Sequence, residues 1–230
     1  MDRPPPLIPG ADTASAALRP DVRSRLRTRA LGPLAVGWVA LALAAAAGLF
    51  WHQDLRYSLA TPIPDGLVVP SSGSRLARPT VAAGTGEHPL LVHFFNPSCP
   101  CSRFAAEQLA TLEKRFRGRL DVLLVPLGDG AGSAGRALAH LPRTTAGALE
   151  LAHRYGAYST PTAVLLGADG TLLFRGQYSS SRYCVDPARQ YVRLALERVL
   201  GEAQSDAVEL AMPPPFGCPL PVSTAEASAP

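Results

Sequence analysis

The chain has 230 residues, of which 47% are hydrophobic and 17% charged, and its formal net charge is +4. This length allows one domain of ordinary size with extensions. The positive charge comes almost wholly from arginine. No aromatic residues are interleaved with a basic stripe, so the composition does not indicate a nucleic-acid surface.

An uncharged apolar run covers residues 32–51, about the length of one bilayer-spanning helix. The basic segment RSRLRTR precedes it, and the positive-inside rule keeps such a flank in the cytoplasm. We therefore predict a cytoplasmic basic tail over 1–30 and a transmembrane helix over 31–51. A cleaved signal peptide and a buried soluble helix are the alternatives, but the run is long for a signal core and lacks a polar face.

This orientation predicts a bacterial inner-membrane protein with a single pass and a C-terminal domain in the periplasm. Disulfides are chemically permitted in that compartment. Membrane contact through one helix is then expected, and a nucleic-acid partner is not.

The rest of the chain alternates between turn signals and regular patterns. Residues 52–86 are rich in Pro, Gly and Ser, which predicts a linker, and residues 207–230 predict an extended tail. Between them, hydrophobic patterns predict strands at 89–95, 120–127, 162–167 and 171–178, and helices at 102–118, within 131–156 and at 186–202. The resulting order is β-α-β-α-β-β-α. Its first half favours parallel pairing, and its second half contains an antiparallel hairpin.

The stretch NPSCPCSRF holds two of the four cysteines, with one proline between them. Pro100 suits the first position of a helix, so Cys99 is predicted to be the exposed N-cap and Cys101 the second helical residue. A helix N-terminus favours an anion, which makes Cys99 the candidate thiolate and nucleophile. Helical positions two apart are splayed by about 200°. A Cys99–Cys101 disulfide would therefore be strained and easily reduced.

Three interpretations of this pair remain open: redox chemistry, metal binding and structural disulfides. Metal binding would use the two thiolates with His93 or His153 to hold Cu(I). The other two cysteines, Cys184 and Cys218, are predicted either to staple the C-terminal tail to the domain or to exchange with the first pair. Four cysteines allow three full pairings, and spacing does not choose among them.

Three segments together are similar to known proteins: LLVHFFNPSCPC, STPTAVLL and GADGTLLFRG. With the element order, they resemble the thioredoxin-like superfamily, and in particular membrane-anchored bacterial members with a Cys-Pro-Cys site. The resemblance implies an α/β fold with a central mixed sheet over residues 87–206. The chain departs from the usual motif, which has two residues between the cysteines instead of one.

The resemblance also implies roles for further residues. Pro161 would follow a cis peptide bond, and the backbone at Thr160 would bind an extended substrate near the cysteines. His93 lies six residues before Cys99, where the family carries a buried acid. It would accept the proton of the resolving thiol, or alternatively serve as a hydrogen-bonded strand residue.

These implications favour a thiol–disulfide oxidoreductase that acts on protein thiols or disulfides. Cys99 would attack a substrate disulfide, and Cys101 or Cys184 would resolve the mixed disulfide. No organic cofactor is predicted, because the sequence has no GxGxxG or P-loop signature, and no resident metal is predicted. The alternatives are a copper-binding chaperone or assembly factor of the same fold, and a non-catalytic interaction domain.

Overall fold

The computed structural model of the chain describes residues 22–80, 86–128, 135–201, 210 and 212–221. It divides into two units, Met1–Phe50 and Trp51–Pro230. Helix α1 (Val22–Phe50) forms the first unit, and its apolar side chains from residue 32 onward are exposed. The helical stretch Gly32–Ser58 is long and apolar enough to cross a membrane. Of the predicted basic tail, residues 1–21 lie outside the described residues.

The second unit contains the remaining helices and all the strands that the structure describes. A π-helical turn (Trp51–Leu55) leads into the short helix α2 (Arg56–Ser58). The strands are β1 (Leu90–Phe95), β2 (Asp121–Pro126), β3 (Ser159–Thr160), β4 (Thr162–Leu166), β5 (Leu172–Gly176) and β6 (Cys218–Pro219). The longer helices are α3 (Pro100–Arg115), α4 (Ala148–Arg154) and α5 (Tyr191–Leu200).

Four strands form the central mixed sheet, in the order β2-β1-β4-β5. The pairing of β1 with β2 is parallel, whereas β1 with β4 and β4 with β5 are antiparallel. All six residues of β1 are buried, as expected for a continuous apolar run in the middle of a covered sheet. The predicted α/β fold with a mixed sheet is confirmed.

Each face of the sheet carries its own hydrophobic core. Leu91 and Phe95 point to the face covered by α3 and α5, whereas Leu90 and Phe94 point to the opposite face, which α4 covers. Because strand side chains alternate, His93 shares the face of Leu91 and Phe95. Each fully buried large apolar side chain stabilises the fold by about 1.5–3 kcal/mol.

The stretch predicted as one or two helices within 131–156 is less helical than its composition suggests. It contains a 3-10 turn (Arg136–Leu138) and α4, and residues 131–134 lie outside the described residues. Between the two helical pieces, Leu124 in β2 donates its amide to the carbonyl of Pro142. Proline lacks an amide hydrogen, so the helix breaks here and the chain bridges to the sheet edge instead.

Two segments outside the βα core pack against it. Within the predicted linker, the amide of Gly73 donates to the carbonyl of Leu172 at 2.8 Å, beside the terminal hairpin. Within the predicted tail, β6 pairs antiparallel with β3. Residues 207–209, 211 and 222–230 of that tail lie outside the described residues. The pairing of β6 with β3 brings the C-terminal segment, residues 215–220, to the start of α3.

Candidate active site at the start of helix α3

Cys99 is the N-cap residue of α3, and Pro100 is the first helical residue, as predicted from the sequence. The backbone of Cys99 is extended, with φ −83° and ψ 122°, because a residue before proline avoids the helical region. Its amide donates to the carbonyl of Asn96 at 2.9 Å, which fixes the tight turn between β1 and α3. The prediction that Cys99 is exposed is wrong, since only 2% of its surface is accessible.

Cys99 is disulfide-bonded to Cys218, with 6.2 Å between the Cα atoms. The sequence left the pairing open, with a staple between Cys184 and Cys218 as one of the alternatives. The structure supports a staple of the tail, but to Cys99. The reason is the path of the tail: β6 places Cys218 opposite Thr160, and the Cys99 Sγ lies 3.6 Å from the Thr160 carbonyl oxygen.

Cys101 is unpaired and 2% exposed. It is the second residue of α3, as predicted, and packs in a small cluster with Cys99 and Phe216. Burial raises the pKa of the Cys101 thiol, and the positive charge of Arg182 only partly opposes that effect. The resting Cys101 is therefore a protonated thiol near neutral pH.

Arg182 is the cation of this site, and nothing in the sequence pattern singled it out. Its side chain is 7% exposed and forms an ion pair with Asp54, which follows the apolar helix. The guanidinium also lies over the rings of Phe104 and Tyr183, at 5.9 and 4.6 Å from their centroids. Arg182 and Cys101 line the same small cavity. A buried cation in such a position favours the thiolate when Cys101 ionises.

The Thr160–Pro161 peptide bond is cis, as the resemblance implied. Thr160 is fully buried, and its hydroxyl donates to the Cys218 carbonyl at 3.4 Å. Pro161 lines the cavity that also holds Cys101 and Phe216. The backbone at Thr160 is thus occupied by the chain's own C-terminal segment.

His93 is a buried strand residue within a network of aromatic rings. Its Nδ1 lies 2.8 Å from the Tyr178 hydroxyl, and its ring stacks on Phe95 with 5.1 Å between centroids. Its Nε2 has no hydrogen-bond partner among the described residues. Burial lowers the pKa of His93 to about 3, so the imidazole is a weak base near neutral pH. This environment matches the alternative of a hydrogen-bonded strand residue better than that of a proton acceptor.

Cys184 is partly exposed in the loop before α5 and is unpaired. Its Sγ accepts from the Ser180 hydroxyl at 3.5 Å. It lines a different cavity from Cys101, although Phe104 and Arg182 border both. The structure therefore does not bring Cys184 into the cluster of the other three cysteines.

The copper alternative requires a cluster of metal-binding side chains around the two thiolates. Within the described part of the chain, no group of three or more His, Cys, Asp or Glu side chains lies close enough to hold an ion. His93 is tied to Tyr178, and His153 lies on α4, which covers the other face of the sheet.

Phe216 and Gly217 were not singled out from the sequence, yet they position the C-terminal segment beside the cysteines. Phe216 packs against Cys99 and Cys101, and Gly217 comes into close contact with Thr160. The signal was present in the tail, where FGCPL combines an apolar residue, a glycine and a cysteine. These five residues match no characteristic motif, so their role beside the cysteines is visible only once the path of the tail in the fold is known.

Several solved structures are similar to this chain. The comparison with curated proteins gave no match. Among solved structures, an uncharacterised conserved protein from Geobacillus kaustophilus is 18% identical, with a TM-score of 0.51 over 70% of this chain and 97% of that one. A hypothetical protein from Sinorhizobium meliloti 1021 is 19% identical, with a TM-score of 0.49 over 68% and 95%. A secreted Mycobacterium tuberculosis disulfide oxidoreductase is 17% identical, with a TM-score of 0.34 over 41% and 72%.

A family model described as the thioredoxin-like domain matches residues 78–184. That range includes the cysteine pair, the cis-proline and the central sheet, but not Cys218. The chain therefore carries a thioredoxin-like domain.

Proposed function

We propose that the protein is a membrane-anchored, periplasm-facing thiol–disulfide oxidoreductase with Cys99 as its reactive cysteine. The observation that carries the proposal is the position of Cys99. It caps a helix N-terminus, forms a disulfide and lies 3.6 Å from the backbone carbonyl that precedes a cis-proline. A helix N-terminus stabilises a thiolate and so makes Cys99 both a good leaving group and a selective nucleophile.

In the oxidised form, a substrate thiolate attacks the Cys99 sulfur and displaces Cys218 as a thiolate. A second substrate thiolate then attacks the substrate sulfur of the mixed disulfide, and Cys99 leaves. The substrate dithiol has become a disulfide, while Cys99 and Cys218 have gained two electrons and two protons. In the reverse direction, the Cys99 thiolate attacks a substrate disulfide, and Cys101 or Cys218 resolves the adduct.

Cys101 lies in a suitable position to resolve the mixed disulfide, but its thiol is protonated near neutral pH and is therefore a poor nucleophile. It packs beside Cys99, whereas burial keeps its pKa raised. Arg182 supplies the positive charge that favours the Cys101 thiolate. His93 is too weak a base to take the proton near neutral pH, so solvent or substrate takes it in this scheme. The mechanism requires no organic cofactor or metal.

The membrane anchor is part of the proposal. The stretch Gly32–Ser58 supports it by length and composition, and the arginines before it favour a cytoplasmic N-terminus. Fusion of alkaline phosphatase to the C-terminus tests the orientation, because that enzyme is active only in an oxidising compartment. We expect active fusions in the membrane fraction, and a soluble, shortened product would indicate cleavage instead.

The redox proposal is tested with the full chain in detergent micelles and a model peptide dithiol. We expect peptide oxidation by the disulfide form to be lost in Cys99→Ser and retained in Ser98→Ala. Ser98 is the exposed residue next to Cys99, and it is the backbone amide of Ser98, not its side chain, that donates to the Asn96 Oδ1, so Ser98→Ala is a matched control. Equal rates for Cys99→Ser and the unchanged protein would refute the assignment. In the reverse direction, with the reduced protein and a disulfide-bonded model peptide, accumulation of a mixed disulfide in Cys101→Ser, Cys218→Ser or Cys184→Ser would identify the resolving residue.

A further inference from the structure

We infer that the groove beside β3 and Cys99 binds an extended cysteine-bearing polypeptide with glycine immediately before the cysteine, and that the C-terminal segment occupies it as an internal substrate. The C-terminal segment is defined here as residues 215–220. The inference rests on the proposed function, since it specifies the substrate class of the same site. It stands on three independent kinds of contact.

The first contact is through the backbone. In the register of β3 and β6, Thr160 lies opposite Cys218, and the Leu220 amide donates to the Tyr158 carbonyl at 2.9 Å. On the other side of the segment, the Thr61 amide donates to the Pro215 carbonyl at 2.7 Å. Backbone bonds of this kind hold any extended strand and do not select its sequence.

The second contact is through alternate side chains. Phe216 and Leu220 flank Cys218, each two residues away from it. Phe216 is 9% exposed and packs on Cys99 and Cys101, while Leu220 is 7% exposed and joins the core on the α4 face. These two anchors place the central cysteine against Cys99.

The third contact is the close approach of the Gly217 backbone to Thr160, which leaves no room for a side chain. Its φ is +116°, a backbone conformation that residues with a Cβ rarely adopt. A Cβ built there would lie 2.2 Å from the Thr160 carbonyl oxygen. That oxygen belongs to the backbone beside the cis-proline and does not yield easily. The groove therefore requires glycine immediately before the bound cysteine.

Together these contacts describe a covalent adduct between the site and a peptide, formed within one chain. The disulfide between Cys99 and Cys218 is the bond that a substrate cysteine would make. A free peptide replaces the tail by exchange: its thiolate attacks the Cys99 sulfur, the Cys99–Cys218 bond breaks, and Cys218 leaves as a thiolate that is protonated by water. One disulfide is broken and one is formed, so no external oxidant or reductant is needed.

The test uses the oxidised full chain in detergent micelles and two synthetic peptides. The first is Pro-Pro-Phe-Gly-Cys-Pro-Leu, which copies residues 214–220, and the second has alanine in place of glycine. Intact-mass and fragment analysis follow adduct formation at Cys99, with glutathione as a small thiol. We expect the glycine peptide to react at least about tenfold faster than the alanine peptide. Equal rates, or reaction with glutathione alone, would overturn the inference but leave the proposed function. No exchange at Cys99 with any thiol would overturn both.

A variant of the chain itself provides a second measurement. In the oxidised form, with the Cys99–Cys218 bond intact, Gly217→Ala should weaken the packing of the C-terminal segment and raise the rate of exchange with the glycine peptide by about fivefold or more. Gly66→Ala is the matched control, since Gly66 also has a positive φ, +78°, but a Cβ there meets no atom within 4 Å. Equal exchange rates in the two variants would contradict occupation of the groove by the tail. The peptide comparison on the unchanged protein remains decisive if Gly217→Ala does not fold.

Discussion

The substitution Cys218→Ser should lower the free energy of unfolding, because it removes a cross-link that closes a long loop. Cys99 and Cys218 are separated by 119 residues. In the chain-entropy treatment, a loop of that length contributes about 4.9 kcal/mol at 25 °C, and measured losses of native disulfides are about 2–5 kcal/mol. With a urea dependence of about 2 kcal/mol per molar, the unfolding midpoint should fall by roughly 1–2.5 M.

The assay is urea unfolding of the full chain in detergent, followed by near-ultraviolet circular dichroism. That signal reports the fixed packing of aromatic side chains such as Phe94 and Tyr155, which are fully buried. Dithiothreitol should bring the unchanged protein to the midpoint of the variant. Cys184→Ser is the control, because Cys184 is unpaired and should leave the midpoint within about 0.5 M. A Cys218→Ser midpoint equal to that of the control would refute the reasoning.

Three further predictions follow from the buried polar groups. Burial lowers the pKa of His93 to about 3, so the unfolded state binds more protons than the folded state between about pH 6.5 and 3. The free energy of unfolding should therefore fall as the pH is lowered through this range, by up to about 1.4 kcal/mol per pH unit. Urea unfolding at a series of pH values should show this slope, and His93→Gln should flatten it. Tyr178→Phe should lower the free energy of unfolding by about 1–3 kcal/mol, because it leaves the His93 Nδ1 without its partner, whereas Tyr183→Phe, at an exposed position, should have little effect in the same assay. Arg182→Met should raise the pKa of the Cys101 thiol further, so iodoacetamide labelling of the reduced protein should require a higher pH, whereas Arg103→Met should not shift that profile.

Local features of the site were predictable because they depend on neighbouring residues. The apolar run of β1 requires a buried strand, and Pro100 sets the first residue of α3, which makes Cys99 the cap. The cis bond before Pro161 followed from a resemblance and not from the residues themselves. These predictions needed only a few consecutive positions and the order of the elements.

The partners of these residues were not predictable, because they come from distant parts of the chain. The pairing of Cys99 depends on where β6 lies beside β3, which no spacing rule specifies. Likewise, Arg182 can favour the Cys101 thiolate because it is buried in an ion pair with Asp54, and no sequence motif includes either residue. The environment of His93 depends on Tyr178, which reaches it from the segment after β5. In each case the contact is set by tertiary packing and not by local propensity.

The separation between Cys99 and Cys218 also has a consequence for the order of events during synthesis. At about 5–20 residues per second, Cys218 follows Cys99 after about 6–24 s. During that interval Cys101 is the neighbouring cysteine, and the strand that aligns Cys218 does not yet exist. In the folded protein the Cys99–Cys218 bond is held by residues 215–220, which lie between Thr61 and β3. Formation of the Cys99–Cys218 disulfide is therefore among the last steps of folding, because all residues of the central sheet are synthesised before Cys218.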